Sequence, residues 1–259
     1  AIEARVIAWL AGEKWSMDVF NSHGKIYEAS ASQMFGVPVE EIHKGSVLRQ
    51  KGKIAELALG YGGSKGALKA MGAIDMGLSE EELPELVSAW RKSNSNIVRL
   101  WWDVESAAIK AVKERTVVSM QYGLKFYFKS GVLFIRLPSG RSLAYVRPRI
   151  EIDERFNKDK LTYEGIEGMK WGRIDTYGGK LTENIIQAIA RDCLAESMLR
   201  LEKYGYRIVF HVHDEVILDV PKDSGSLEEV EGIMGLDIPW APGLPLRAEA
   251  FESDYYKKD

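Results

Sequence analysis

The chain has 259 residues, 46% hydrophobic and 28% charged, a balance that excludes disorder and suffices for one large domain or two small ones. Its formal net charge of −3 comes from 35 basic and 38 acidic residues; as a sum this tells against nucleic acid as partner, although distribution matters more. One cysteine, Cys193, excludes an internal disulfide and a cysteine-rich zinc site and fits a reducing compartment, and no apolar run approaches the roughly 20 residues needed to span a bilayer, so neither a signal peptide nor a membrane segment is expected.

In chain order, Ile2, Val6, Trp9 and Leu10 predict an amphipathic helix that follows a strand lying upstream. Ser46 is a candidate N-cap and glycines 60, 62 and 63 are stop signals, which bracket a helix of about four turns. At about 100° per residue, Arg49, Lys53, Leu57 and Tyr61 advance in steps of four and form one drifting stripe. A guanidinium, an ammonium, an aliphatic platform and a ring in that order could hold a triphosphate at one end and a base at the other. The same pattern suits a solvated basic face with Leu57 and Tyr61 at the core edge. Lys44, Lys51, Lys65 and Lys69 make this region locally basic, against acidic runs at 80–85 and 228–231. Ser79 and Glu82 read as a capping box opening the next helix. Val98 to Val112 is amphipathic and rich in Trp and Ala. Leu124 to Phe128 and Val132 to Leu137 are strand-like, and the turn at 138–141 leads into Ser142 to Val146. Leu181 to Lys203 predicts a long helix, with Cys193 as a small buried hydrophobe in it.

The last strong pattern runs from His211 to Pro221. Arg207 to Val212 and Glu215 to Val220 are dominated by β-branched and aromatic residues, so His213 and Asp214 fall at a hairpin turn. A carboxylate at such a tip, with Glu215 beside it, suits a hard divalent cation. Asp is also common in ordinary turns because it tolerates unusual backbone angles, so this segment by itself admits both readings. His211 and His213 alternate as zinc ligands would, but no third ligand is evident.

Taken together, the motifs resemble one family. Arg49, three residues, Lys53, seven residues and Tyr61-Gly62 resemble motif B of the family A DNA polymerases, the bacterial DNA polymerase I type, and Val212-His213-Asp214-Glu215 resembles their motif C. Ala1 to Arg5 is similar to the back half of motif A, and Glu183 to Asp192 to the helix preceding motif C. The wording of residues 52–63 looks most like the phage and prophage branch. The resemblance implies an α/β (α+β) fold: a polymerase palm with an antiparallel sheet and the motif C hairpin, plus a mainly helical fingers subdomain. Residues 1–21 would be partial palm, 22–180 fingers and 181–259 palm, with thumb and exonuclease domains absent.

The implied activity is template-directed DNA synthesis, adding deoxynucleotides to a primer 3′-hydroxyl with release of pyrophosphate by a two-metal mechanism using Mg²⁺, with Mn²⁺ as a substitute. Asp214 and then Glu215 would ligate metal. Arg49 and Lys53 would neutralise the triphosphate, Lys53 also donating a proton to pyrophosphate. Tyr61 would sit beside the nascent base pair, and Glu3 would exclude a ribose 2′-hydroxyl. Arg5, Lys180, Gln187 and His213 would touch primer or template, Lys180 standing where relatives often carry Arg. Leu57 replaces the family's Phe or Tyr, and Tyr27 replaces a phosphate-binding His, with a hydroxyl that can act only as a neutral donor. The implied partners are primer-template DNA, deoxynucleoside triphosphates and an N-terminal part of the polymerase, with no membrane; the implied location is the cytoplasm, that of the host if phage-encoded. In the family the metal-binding Asp of motif A precedes the Ala1 position by three residues, so the chain is expected to be a fragment, inactive alone. A non-catalytic nucleic-acid-binding piece and a single-subunit RNA polymerase stand as alternatives, the latter disfavoured by Glu3 and Glu215.

Overall fold

Between Ile97 and Val112 apolar residues recur every three or four positions, and they build the central helix of the molecule. The computed structural model describes residues 2–154, 156–222 and 224–257. Seven helices come first: α1 (Ile2–Ala11), α2 (Lys14–Asn21), α3 (Ile26–Phe35), α4 (Val47–Leu59), α5 (Lys65–Ala70), α6 (Leu83–Ser93) and α7 (Ser95–Glu114). A meander follows, made of β1 (Val118–Ser119), β2 (Lys125–Lys129), β3 (Val132–Arg136), β4 (Ser142–Asp153), β5 (Lys158–Glu167) and β6 (Lys170–Thr176). The chain then enters α8 (Gly178–Lys203), the hairpin β7 (Arg207–Val212) and β8 (Glu215–Asp219), and α9 (Leu227–Met234). The fold is mixed α+β with purely antiparallel sheets.

The core forms where α1, α7 and α8 meet. From α7 it receives Leu100, Trp101, Val104 and Ala108, from α8 Leu181, Ile185 and Ile189, and from α1 Val6, Trp9 and Leu10. At roughly 1.5–3 kcal/mol for each fully buried large apolar side chain, this contact is the main source of stability. Cys193 lies inside it; burial, and then Asp192, push its thiol up to about 12, so it stays protonated and inert. After α9 the described residues form no further helix or strand, yet Ile238, Ala241 and Leu244 are buried. This strap is tied down by Trp9, whose indole N–H donates to the Pro242 carbonyl at 2.9 Å, and by Arg5, which donates to that of Pro245 at 3.1 Å.

Two readings change. The strands read between Leu124 and Val146 are present, but the sheet runs further: from Val118 to Thr176 it is a six-stranded meander, in the order β1-β2-β3-β4-β5-β6, to which β4 beyond Val146, β5 and β6 are additions. Its inner face, with Phe126, Leu133, Ile135, Tyr145 and Leu161, packs on α7, while the other face of β4 and β5 carries Arg149, Glu151, Lys160 and Glu164, with Glu151 directly opposite Lys160. That charged face gives residues 147–176 little apolar signal, and Pro148 reads as a breaker. Here Pro148 falls in a bulge where the register shifts between Val146 and Arg149, so no ladder N–H is required of it. The second correction concerns Ser79. Its N–H does donate to the Glu82 carboxylate at 2.9 Å, but the helix begins only at Leu83 with Pro84 in its first turn. A helix started at Ser79 would place Pro84 in the interior, where its missing N–H and its ring are costly.

Candidate active site

Helix α4 carries the basic stripe. Ser46 is its N-cap, its hydroxyl accepting from the Arg49 N–H at 3.3 Å. Ile54, Ala55 and Leu59 are buried, which turns Arg49, Lys53 and Leu57 outward; Leu57 is 50% exposed. Gly52 permits a close crossing with α3, since a Cβ there would stand 2.2 Å from the Tyr27 carbonyl oxygen. The crossing brings Arg49 against α3: its Nε donates to the Glu28 carboxylate at 2.6 Å, and its guanidinium lies 5.5 Å from the Tyr27 ring centroid. Burial pushes the Glu28 carboxyl up, but the Arg49 bond outweighs it and leaves the group below its ordinary value. Lys53, by contrast, has no hydrogen bond or ion pair among the described residues. Beneath the stripe, the Glu56 carboxylate accepts from Ser30 Oγ at 2.7 Å and from the Trp90 indole at 2.8 Å, tying α4 to α3 and α6; burial raises its carboxyl. Burial, and then Glu56, also raise the Tyr27 hydroxyl.

Tyr61 does not extend the helical stripe, because α4 ends at Leu59 and the next residues turn, with Gly62 at φ 81°. Its hydroxyl donates to Glu3 of α1 at 2.9 Å, and burial, followed by Glu3, pushes that hydroxyl far above its usual range. The turn is held from outside. The Trp101 indole donates to the Gly60 carbonyl at 2.9 Å and Arg91 to that of Gly63 at 3.1 Å. The first turn of α8 abuts the same place: a Cβ on Gly179 would meet the Tyr61 carbonyl oxygen at 2.2 Å, and one on Gly178 that of Trp101 at 2.1 Å. The junction of α4, α7 and α8 is therefore backbone on backbone.

The second component is the β7–β8 hairpin. Val212 pairs with Glu215, so His213 and Asp214 are the two turn residues, as expected. His213 adopts φ 51°, a left-handed conformation that costs a side-chain-bearing residue about 1 kcal/mol or more. His213 and Asp214 are exposed, Glu215 is half-buried, and neither carboxylate has a hydrogen bond or ion pair among the described residues. His211 faces Arg191 of α8, with Nε2 and Nη2 3.3 Å apart. Two hard oxygen donors at an open tip fit a divalent cation, and Mg²⁺ is commonly held by one or two carboxylates with water and phosphate completing its shell. Among the described residues no group of three His, Cys, Asp or Glu side chains is placed to hold a metal.

The remaining residues named from sequence are distributed around these parts. Arg5 is committed to the C-terminal strap and lies 4.7 Å over the Phe20 ring; burial, then Arg247, lower its guanidinium. Lys180 is paired with Glu183 at 2.9 Å, and Gln187 is exposed on α8. Sequence reasoning missed Glu28, Glu56 and the glycine pair of α8. A polar partner 21 positions away leaves no periodic trace; the repeated glycines at the start of a helix were the available signal.

The family model of DNA polymerase family A matches residues 1–249. The chain belongs to DNA polymerase family A. Over 260 aligned residues it is 66% identical to the DNA polymerase of Bacillus phage SP02, which covers 100% of this chain and 40% of that protein. The thermostable DNA polymerase I of Thermus aquaticus is 25% identical over 248 residues, 92% of this chain and 24% of that one. This family A chain thus spans well under half the length of these relatives. In fold it is similar to the POL domain of Pol1 from M. smegmatis in complex with DNA primer-template and dNTP, at a TM-score of 0.60 and 22% identity, covering 95% of this chain and 36% of that one.

Proposed function

We propose that this chain is the fingers and most of the palm of a phage-type DNA polymerase that adds deoxynucleotides to a primer 3′-hydroxyl on a DNA template. Residues 1–21 and 181–259 belong to the palm on this reading, and 22–180 to the fingers, including the meander. The observation that carries it is the pairing, in a family A chain, of a hairpin tip bearing two carboxylates with a helix presenting Arg49 and Lys53, where the two carboxylates and Lys53 have no partner among the described residues.

In the mechanism, Asp214 and Glu215 would hold divalent cations, Mg²⁺ or in its place Mn²⁺, whose charge would acidify the primer hydroxyl and stabilise the pyrophosphate leaving group. Arg49 exchanges part of its bond to Glu28 for triphosphate oxygens, and Lys53 places a compact charge on them and gives a proton to the departing pyrophosphate. Leu57 offers the base an aliphatic contact. Glu3, fixed by the Tyr61 hydroxyl, leaves no room for a 2′-hydroxyl, which favours deoxynucleotides. Lys180, Gln187 and His213 face the nucleic acid; Arg5 contributes indirectly by anchoring α1.

In a full-length family A polymerase carrying this segment, Asp214→Ala should lower primer extension by about a thousandfold or more, several kcal/mol of charge stabilisation having been removed. Extension at the parental rate would overturn the site assignment. The 259 residues alone should give no extension in Mg²⁺, because among the described residues no third ligand joins Asp214 and Glu215; robust templated synthesis by them would overturn this second expectation and leave the first standing.

A further inference from the structure

The junction that seats Tyr61 continues outward as a line of exposed rings. Tyr177 caps α8 and is 54% exposed, with one ring edge against the glycines of the junction: its Cε2 would meet a Cβ on Gly179 at 2.8 Å and one on Gly62 at 3.5 Å. The following residue, Gly178, lies on α7, where a Cβ would stand 3.1 Å from that of Glu105. One turn before Glu105, on the same helix face, is Trp102, which is 55% exposed although its neighbour Trp101 is buried. Lys158 lies across this face, its ammonium 5.2 Å from the Trp102 ring centroid and 5.8 Å from that of Phe156, which is 70% exposed in the β4–β5 turn. Three large rings open to solvent, reached in order from the nucleotide-binding residues and flanked by a cation, are not what a helix–sheet contact requires.

We propose that Tyr177, Trp102 and Phe156, with Lys158, form a stacking track for an unpaired nucleic-acid strand leading away from Tyr61. Bases in a duplex have their faces covered by neighbouring pairs, whereas an unpaired strand can lay successive bases on aromatic rings, largely without regard to sequence. The charges along the line favour rings over phosphates as the grip. Lys158 is 3.8 Å from the Glu105 carboxylate and Lys180 2.9 Å from Glu183, so much of the local positive charge is already neutralised. A duplex, which would bind through phosphate charge alone, gains little here. The identification of the strand as unpaired template rests on the polymerase reading; the stacking itself does not.

The test uses the 259-residue chain and needs no catalysis. Fluorescence anisotropy at fixed salt would follow binding of a labelled oligodeoxythymidine of about 12 nucleotides, and of a blunt duplex of the same length. Trp102→Ala and Tyr177→Ala should each weaken single-strand binding about tenfold, the effect of losing one stacked base, and leave duplex binding unchanged. Trp102→Phe should keep most of the affinity, and all three variants should melt like the parent since these side chains are exposed. Affinity for the oligonucleotide unchanged in both alanine variants, parallel loss for strand and duplex, or no single-strand binding by the parent would each overturn the track. None of these outcomes depends on primer extension, so the track and the polymerase assignment fail separately.

Discussion

Helix α4 and the β7–β8 hairpin supply the two halves of the proposed site, and they are built on opposite principles. The outward face of α4 stands on core residues, crosses α3 through a glycine, and is braced by carboxylates that are already bound: Glu28 of α3 holds Arg49, and Glu56 of α4 holds Ser30 and Trp90. The hairpin tip projects into solvent with two acids that bind nothing among the described residues. The network at α4 holds the Arg49 guanidinium in place, while Lys53 has no hydrogen bond or ion pair among the described residues. A cation site gains from carboxylates left free, since each prior partner would have to be displaced. Changes in α4 should therefore disturb folding and function together, whereas changes at the tip should separate them.

The sharpest way to break this contrast is Gly52→Val. With a carbonyl oxygen 2.2 Å from any Cβ, the α3–α4 crossing has to open, at about 3 kcal/mol. For a chain of this size that corresponds to a fall in Tm of roughly 6–12 °C by calorimetry; a fall of less than about 2 °C would mean the crossing is not tight.

Glu56 comes next. Glu56→Ala leaves the buried Trp90 indole without an acceptor and should cost about 1–3 kcal/mol. Glu56→Gln keeps an acceptor oxygen and removes a carboxyl whose folded-state pKa is raised. A raised carboxyl binds more protons folded than unfolded, so its contribution is fully present below the unfolded value near 4.3 and is lost as pH rises through the folded value. The parent should thus lose stability relative to Glu56→Gln between acidic and neutral pH, a difference that denaturant titrations at several pH values would read. Glu28, whose carboxyl is lowered, has the opposite sign: its contribution is present above the unfolded value and is lost as pH falls through the folded one.

Smaller still, Ser46→Ala removes the cap of α4 at about 1 kcal/mol. At the low end, Asp214→Ala should leave stability within about 0.5 kcal/mol of the parent, as is usual for exposed positions without partners. A large destabilisation there would show that the tip is more than a holder of ligands.

Much of this was legible in the sequence where local chemistry decides the outcome. Ser46 and the glycines at 60–63 bracket α4 within a residue or two, and the β-branched runs around His213-Asp214 announce the hairpin. Local rules failed where a longer-range demand overrode them. Pro84 moved the start of α6 past the capping box; β5 and β6 were unread because half of each strand faces water with charges; and Tyr61 left the stripe because the chain turns at Gly60. The Glu28 clasp and the backbone junction at Gly178-Gly179 depend on elements distant in sequence, so no spacing within α4 could reveal them.

That junction also has a mechanical meaning. The C-terminal end of α4 is fixed by a main-chain contact to α8 and by the Trp101 indole of α7, while the other end is joined to α3 at the Gly52 crossing and by the ion pair of Arg49 with Glu28, and to the start of α6 by that of Lys51 with Glu82. Any rigid swing of α4 therefore carries α3 with it, has its fulcrum at Gly60 and moves Arg49 much further than Tyr61. With a rise of about 1.5 Å per residue, a tilt of about 10° there displaces the guanidinium end by about 3 Å and barely moves Tyr61. The ring would hold its station while the cations sweep.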